Sequence, residues 1–484
     1  MTAPSGLARK SIGTGALFFF CVGASAPMTV LAGSTVQTYA STGVVGVPLS
    51  FLVLAIALGF FTVGYVAMTR YVPHAATFYA LLARGLGRIW GMAGGTVALV
   101  AYNSIQICLY GLLGATVSGE LGGPWWAWAL AAWAVVGLLG VLHININARV
   151  LAVFLVSEIA VILLFDVSSF THPAHALTVA PLSPGSLFVN GVGGVFALSI
   201  AAFVGYESAP FYGEEARSHR TVSRASFGAL VFIGVLYAVS AWAMAVAAGV
   251  PDIINATRTD PGLPFTMLGD HFGGAVAGLA SLLLITSIMA AMISFHNSVA
   301  RYVFGMARER VLPARLGRIS DGARGGAPIG GSLLQSLLAL TVILAFVLAG
   351  ADPVATLFTW LATIAAIGVM LLMFGTSLAV VGFFRRGAGS GETPWQRVWA
   401  PSLGALALAI IFLVTVVNLA SLLGTTPGAP LTWIIPGVVL IATIVGLAWG
   451  RILQQARPEV YRNIGVGEQE PLAVLEHALA NLKV

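Results

Sequence analysis

Apolar runs of about 20 residues follow one another along almost the whole chain, each long enough to cross a hydrocarbon core of about 30 Å as an α-helix. Twelve are counted, at approximately 14–40, 45–69, 89–117, 125–143, 149–168, 187–212, 224–249, 273–304, 328–349, 354–384, 398–422 and 430–451. Within lipid every backbone N–H and C=O must find a partner inside the protein, which leaves helices or closed barrels as spanning structures. The polar/apolar alternation over about ten residues that marks a membrane β-barrel is absent. The fold class expected is therefore an all-α membrane protein with twelve transmembrane helices. Composition agrees: only 8% of residues are charged, against about a quarter in soluble domains.

The positive charge of +6 has an explanation in topology. With residues 1–13 and 452–484 in the cytoplasm, the even-numbered loops face inward, and of the 23 Lys and Arg only Arg258 falls outside. That segregation is the positive-inside rule, so the basic balance marks the cytoplasmic face of a multi-pass protein of the cytoplasmic membrane and disfavours nucleic acid as a partner. The first run is too long for a signal peptide and is followed by further spans, so it stays as helix 1. Cys21 and Cys108 both lie in apolar runs, which argues for packing and against a disulfide framework. Tryptophans 125, 126, 128 and 433 fall near span ends, where an indole fixes depth. Leucines 472, 475, 479 and 482 share one face of a short helix expected to pack on the bundle.

Two spans violate the rules of a stable helix. Helix 1 contains Val22-Gly23-Ala24-Ser25-Ala26-Pro27, and helix 6 contains Ala201-Ala202-Phe203-Val204-Gly205-Tyr206-Glu207-Ser208-Ala209-Pro210. A carboxylate at the bilayer centre costs about 2.5–3.5 kcal/mol on insertion scales, and Pro210 removes a backbone donor. Such backbone is tolerated only where it lines a cavity or is buried in protein. The two breaks open two sets of five spans, 14–168 and 187–384, with 398–451 appended. Five being odd, the second set is inverted relative to the first. Paired interruptions in corresponding helices of inverted repeats point to a secondary transporter's midplane site.

The candidate site follows from those breaks. The second half of helix 1 begins with a positive dipole end, so Gly23, Ala24, Ser25 and Ala26 are placed against an anionic group. Carbonyls freed at Ala202, Phe203 and Val204, beside Gly205 and the Glu207 carboxylate, suit an ammonium; a simple kink in helix 1 is the plainer alternative. Glu207 reads either as a proton carrier or amine partner, or as a structural acid. Glu158 sits near the centre of helix 5 among apolar neighbours; burial disfavours its charged form, as proton loading and unloading requires, and the alternative is a structural acid bonded to helix 1 or 8. Asn103 and Gln106, with Tyr102 and Tyr110, make a polar stripe on helix 3 that either lines the site or holds helices together. Thr286 and Ser287 on helix 8 are weak candidates for a sodium site, with packing favoured. Trp360, with Thr363, is placed as a cap on the cavity. His296 reads as a packing residue, and Glu214-Glu215 with Arg217 and Arg220 as a solvated helix end or a gate ion pair. No metal cluster, nucleophile elbow or phosphate loop is present, so neither an enzyme nor a cofactor is expected.

Three stretches in topological order resemble the amino acid, polyamine and organocation permease superfamily: Gly64-Tyr65 through Arg70-Tyr71-Val72-Pro73-His74-Ala75 to Tyr79, Phe203-Val204-Gly205-Tyr206-Glu207 followed by Gly213-Glu214-Glu215-Ala216, and Ala307-Arg308-Glu309-Arg310-Val311-Leu312-Pro313. The resemblance covers roughly residues 10–385. It implies a five-plus-five inverted repeat of the leucine-transporter type with discontinuous helices 1 and 6, alternating access, and uptake or exchange of small amines. Many members carry a Gly-Ser-Gly-like segment in helix 1 where this chain has Gly23-Ala24-Ser25-Ala26-Pro27, and proton-coupled relatives carry lysine near the position of Glu158. The expectation is thus a transporter of an amino acid or related small amine, with protons and the lipid bilayer as its other partners. Proton symport is preferred because Glu158 and Glu207 can be protonated. A polyamine or amino-alcohol permease or exchanger is the alternative, and a non-transporting membrane sensor is the alternative of another class.

Overall fold

The computed structural model describes residues 12–142, 148–319, 327–389, 391–426 and 428–467. Its spanning helices are helix 1 (Thr14–Thr42), 2 (Val47–Thr69), 3 (Arg88–Leu121), 4 (Trp125–Leu142), 5 (Ala148–Thr171), 6 (Val192–Tyr212), 7 (His219–Ala248), 8 (Gly274–Arg308), 9 (Ile329–Leu348), 10 (Pro353–Arg385), 11 (Trp395–Val417) and 12 (Pro430–Ala456). Eleven are long and apolar enough to cross a membrane among the described residues, and helix 4 is the shorter twelfth. The fold is all-helical. Strand pairing among the described residues is limited to one isolated bridge between Ile12 and Ala216.

Burial orders the helices. Helices 3 and 6 are 89% buried over their apolar windows and form the centre, whereas helix 12 is 22% buried and presents Leu440, Ile441 and Ile444 outward. Helix 12 reaches helix 3 through Gly446, where a Cβ would stand 2.5 Å from Ala93 Cα; only a residue without a side chain lets the two backbones approach so closely. The discontinuities fall in helices 1 and 6, the first members of the two five-helix sets.

Boundaries differ from the sequence expectation where turn chemistry intervenes. Helix 6 starts at Val192, because Pro184–Leu187 forms a separate turn and Gly191 at φ +98° redirects the chain. Helix 7 starts five residues before 224, at His219, because the Ser218 side chain accepts the Thr221 N–H at 3.2 Å and caps it. Arg70, Arg301, Arg308 and Arg385 share one face of the bundle, called the basic face below; on the opposite face Arg258 Nε donates to the Ala40 carbonyl at the end of helix 1 (2.8 Å). The expected amphipathic tail at 472–482 and the basic residues Arg9 and Lys10 lie outside the described residues.

Candidate functional site

Helix 1 stops at Ser25. Ala26 then takes φ +45°, a left-handed conformation that costs an L-residue about 1–2 kcal/mol and must be held by its surroundings. Its N–H closes the first half on the Val22 and Gly23 carbonyls (3.1 and 3.2 Å), and its own carbonyl accepts the Val30 N–H (3.1 Å). Pro27 opens the second half, where an N–H would have had no helical partner in any case. The Ser25 carbonyl accepts the Tyr237 hydroxyl (2.9 Å), and the Ser25 hydroxyl turns back onto the Cys21 carbonyl (3.1 Å).

Helix 6 stops at Phe203. Val204 is extended (ψ 127°) and Gly205 lies at φ +114°. A Cβ on Gly205 would stand 2.8 Å from Ala24 Cβ and 3.0 Å from the Ala24 carbonyl carbon, so the two breaks touch each other, and glycine is what lets them. Pro210 sits inside the tight turn Tyr206–Tyr212 that follows. Among the described residues no backbone hydrogen bond ends on the carbonyls of Ala202, Phe203 or Val204.

Glu207 is fully buried beside this break. Its Oε2 accepts the Gly205 N–H (2.8 Å), its Oε1 accepts the Tyr102 hydroxyl (2.6 Å), and its carbonyl accepts the Tyr65 hydroxyl (3.1 Å). The acid therefore ties its own discontinuity to helices 2 and 3. The remaining members of the helix 3 stripe go elsewhere. Asn103 Nδ2 donates to the Leu99 carbonyl, while Gln106 donates to Tyr110 (2.8 Å) and accepts from Gln335 of helix 9 (2.7 Å). Trp360 packs edge-on against Phe346, also of helix 9, and the Thr363 hydroxyl bonds the Thr359 carbonyl of its own helix. His296 pairs with Ser332 (2.7 Å).

Glu158 makes a second focus. It is buried on helix 5 and accepts the Ser287 hydroxyl of helix 8 at 2.9 Å, and the Met28 N–H at the start of the second half of helix 1 faces the same carboxyl. One carboxyl thus joins helices 5 and 8 beside the helix 1 break. Beside it lies a cavity of about 520 Å³ bounded by Gly15, Phe19 and Gly23 of helix 1, Glu158 of helix 5, and Thr286 and Ser294 of helix 8. All of these positions but Thr286 lie in the halves of their helices nearer the basic face. The Thr286 hydroxyl turns onto the Leu283 carbonyl (3.0 Å).

At the basic face, helix 6 is tied to helix 8. Glu214 holds Arg308 through two hydrogen bonds (3.0 and 3.2 Å) and accepts the Ala75 N–H (3.3 Å); Glu215 holds Arg301 (3.1 Å), whose guanidinium lies over the Tyr212 ring at 4.4 Å. These two acids pair across the bundle and not with Arg217 or Arg220 of their own loop. Burial acts to raise the Glu214 carboxyl, but the hydrogen bonds and charge of Arg308 outweigh it and hold the group below the usual carboxylate range.

The sequence reading passed over Asp166, a second buried acid on helix 5, eight residues beyond Glu158. Its Oδ2 accepts the Ser240 hydroxyl of helix 7 (3.0 Å), and its Oδ1 has no partner among the described residues. The signal was available: a lone carboxylate in an apolar run, the pattern that marked Glu158.

A family model described as amino acid permease matches residues 12–443. Among the solved structures that match is the manganese transporter of Eremococcus coleocola, crystallised with an aromatic bis-isothiourea substituted compound; it is 13% identical, the match covers 93% of this chain and 94% of that one, and the TM-score is 0.56. At that identity the likeness is one of fold. No curated protein sequence matches the chain.

Proposed function

Because the chain belongs to the amino acid permease family and is a multi-pass membrane transporter, we propose that it carries an amino acid or related small amine across the cytoplasmic membrane by alternating access coupled to protons. The observation that carries the coupling is Glu158, whose carboxyl accepts the Ser287 hydroxyl and faces the Met28 N–H at the helix 1 break, next to the cavity. The Ser287 hydroxyl and the Met28 N–H both point at an acceptor. Adding a proton converts one carboxyl oxygen into a donor and removes the charge that favours both. Protonation therefore weakens the link between helix 1 and helices 5 and 8, and deprotonation restores it.

The carbonyls of Ala202, Phe203 and Val204 lie free of backbone partners and are of the right chemistry for a substrate ammonium. Donors for a substrate carboxylate are fewer: Pro27 has none, and the Met28 N–H faces Glu158. That scarcity favours a second reading, an amine without a carboxylate such as a polyamine or amino alcohol. Uptake into proteoliposomes of a labelled amino acid and of its decarboxylated amine, with and without a pH gradient, separates the two. Gradient-driven accumulation of the amino acid supports the first reading. Accumulation of the amine alone removes it.

A further inference from the structure

Past helix 12 the chain turns back along the basic face. The short helix Pro458–Asn463 buries Val460 and sets the Tyr461 ring 5.7 Å from the Arg88 guanidinium, and Ile464 is buried after it. Gly465 and Gly467 then take left-handed conformations (φ +73° and +69°), and both turn their N–H groups onto one carboxylate, Glu309: Gly465 to Oε2 and Gly467 to Oε1, each at 2.9 Å. Oε1 also pairs with His74 Nε2 (3.0 Å), and Oε2 accepts the Tyr79 hydroxyl. The Ala76 N–H donates to His74 Nδ1 (2.9 Å), so Nε2 carries the ring proton directed at Glu309. Four donors thus saturate one buried acid.

Burial works to raise the Glu309 carboxyl, but the bonds from His74, Tyr79 and the glycine N–H groups prevail and hold it below the usual range, so it stays ionised near neutral pH. The seat is shaped for glycine: a Cβ on Gly465 would lie 2.7 Å from Ala83 Cβ, and one on Gly467 would lie 3.2 Å from the His74 ring.

The position of Glu309 in the chain is what gives this seat a consequence. The residue before it, Arg308, reaches across to Glu214 beyond helix 6. The residue after it, Arg310, sits at φ +60°, a conformation that costs a non-glycine residue and is held here by its neighbours. The four bonds to Glu309 fix the turn that aims Arg308. Without the two tail bonds, that turn is free to relax and the Arg308–Glu214 tie weakens.

We propose that the C-terminal segment Ile464–Gly467 is an intrinsic ligand of the Glu309–His74–Tyr79 seat, and that its seating holds the basic face closed until the segment is released. The role in a transport cycle rests on the alternating-access reading, but the docking and its effect on access are measured without a substrate.

Cys21 is a native reporter. It is buried between helices 1 and 6, where the Ser208 hydroxyl reaches its sulfur (3.6 Å), nearer the basic face than either break. In the full-length Cys108→Ala background, labelling of Cys21 by a membrane-impermeant thiol reagent added from the basic face reads opening of that face. Gly467→Pro removes one N–H and cannot adopt the left-handed φ, and Glu309→Gln removes the charge. Each is expected to speed labelling about tenfold, the effect of losing a charge-assisted hydrogen bond. Parent-like labelling in both variants, with parent-like melting, would overturn the proposal and leave the segment a structural anchor. Should Gly467→Pro fail to assemble, Tyr79→Phe takes its place: a several-fold rise supports the clasp, and no rise counts against it. Tail-dependent labelling in a protein that takes up neither amino acid nor amine would keep the clasp and remove the transport reading.

Discussion

The contact between the two helix breaks can be weighed through Gly205→Ala. At φ +114° an L-residue pays at least the about 1–2 kcal/mol of the left-handed region, since this angle lies beyond its usual centre. The added methyl would also stand 2.8 Å from Ala24 Cβ and 3.0 Å from the Ala24 carbonyl carbon, inside van der Waals contact with backbone that cannot rotate away. Overpacking of this kind costs about 1–3 kcal/mol. The two contributions together predict a loss of about 2–5 kcal/mol. Ala24→Gly removes one of the two clashing atoms but none of the backbone strain, so the double variant is expected to recover part of the loss, with a coupling of about 1 kcal/mol. Thermal unfolding of the purified protein for the parent, both single variants and the double variant completes the cycle. A Gly205→Ala protein that melts with the parent, or single effects that simply add, would refute the argument that the breaks seat on each other.

Three further outcomes follow from particular contacts. Gln335→Leu removes the donor to Gln106 Oε1 and is expected to lower stability by about 0.6 kcal/mol while leaving the apparent affinity for substrate unchanged; a shifted affinity would return Gln106 to the transport site. Asp352 caps helix 10 by accepting the Val354 and Ala355 N–H groups (2.8 and 2.6 Å), so Asp352→Ala is expected to cost about 1 kcal/mol, read as a lower melting temperature with unchanged uptake. Glu214 and Glu309 are both held below the ordinary Glu value of about 4.3, so the stability they add is fully present above that value and is lost as pH falls through their lowered folded values. The stability difference between parent and Glu309→Gln is therefore expected to be constant from about pH 7 to pH 5 and to shrink below about pH 4; a difference that vanishes between pH 7 and pH 5 would contradict this assignment.

The span pattern was legible because a run of about 20 apolar residues has few other uses, and the paired breaks because Gly205 and Pro27 sit where no spanning helix wants them. The details of the breaks were less so. Pro210 looked like the residue that frees the helix 6 carbonyls, but the chain departs from the helix at Val204 and Gly205, and the proline is absorbed into the following turn. Composition carries no record of partners distant in sequence. Tyr102 and Gln106 lie one turn apart on helix 3 and read as one stripe, yet the first reaches Glu207 of helix 6 and the second Gln335 of helix 9, because a helix at the centre of the bundle has neighbours on every side. The Glu214–Arg308 and Glu309–Gly465 pairs span 94 and 156 residues and become visible only when the basic face is assembled.

Coupling through Glu158 is the claim on which the account turns, and Glu158→Gln in proteoliposomes tests it with two readouts. The parent, moving one proton per substrate, would accumulate substrate about tenfold per unit of pH gradient, since one unit is about 1.4 kcal/mol. The variant is predicted to keep exchange of labelled for unlabelled substrate at equal pH and to lose accumulation against the gradient. Gradient-driven accumulation at the parental level, with the parental pH dependence, would contradict the account.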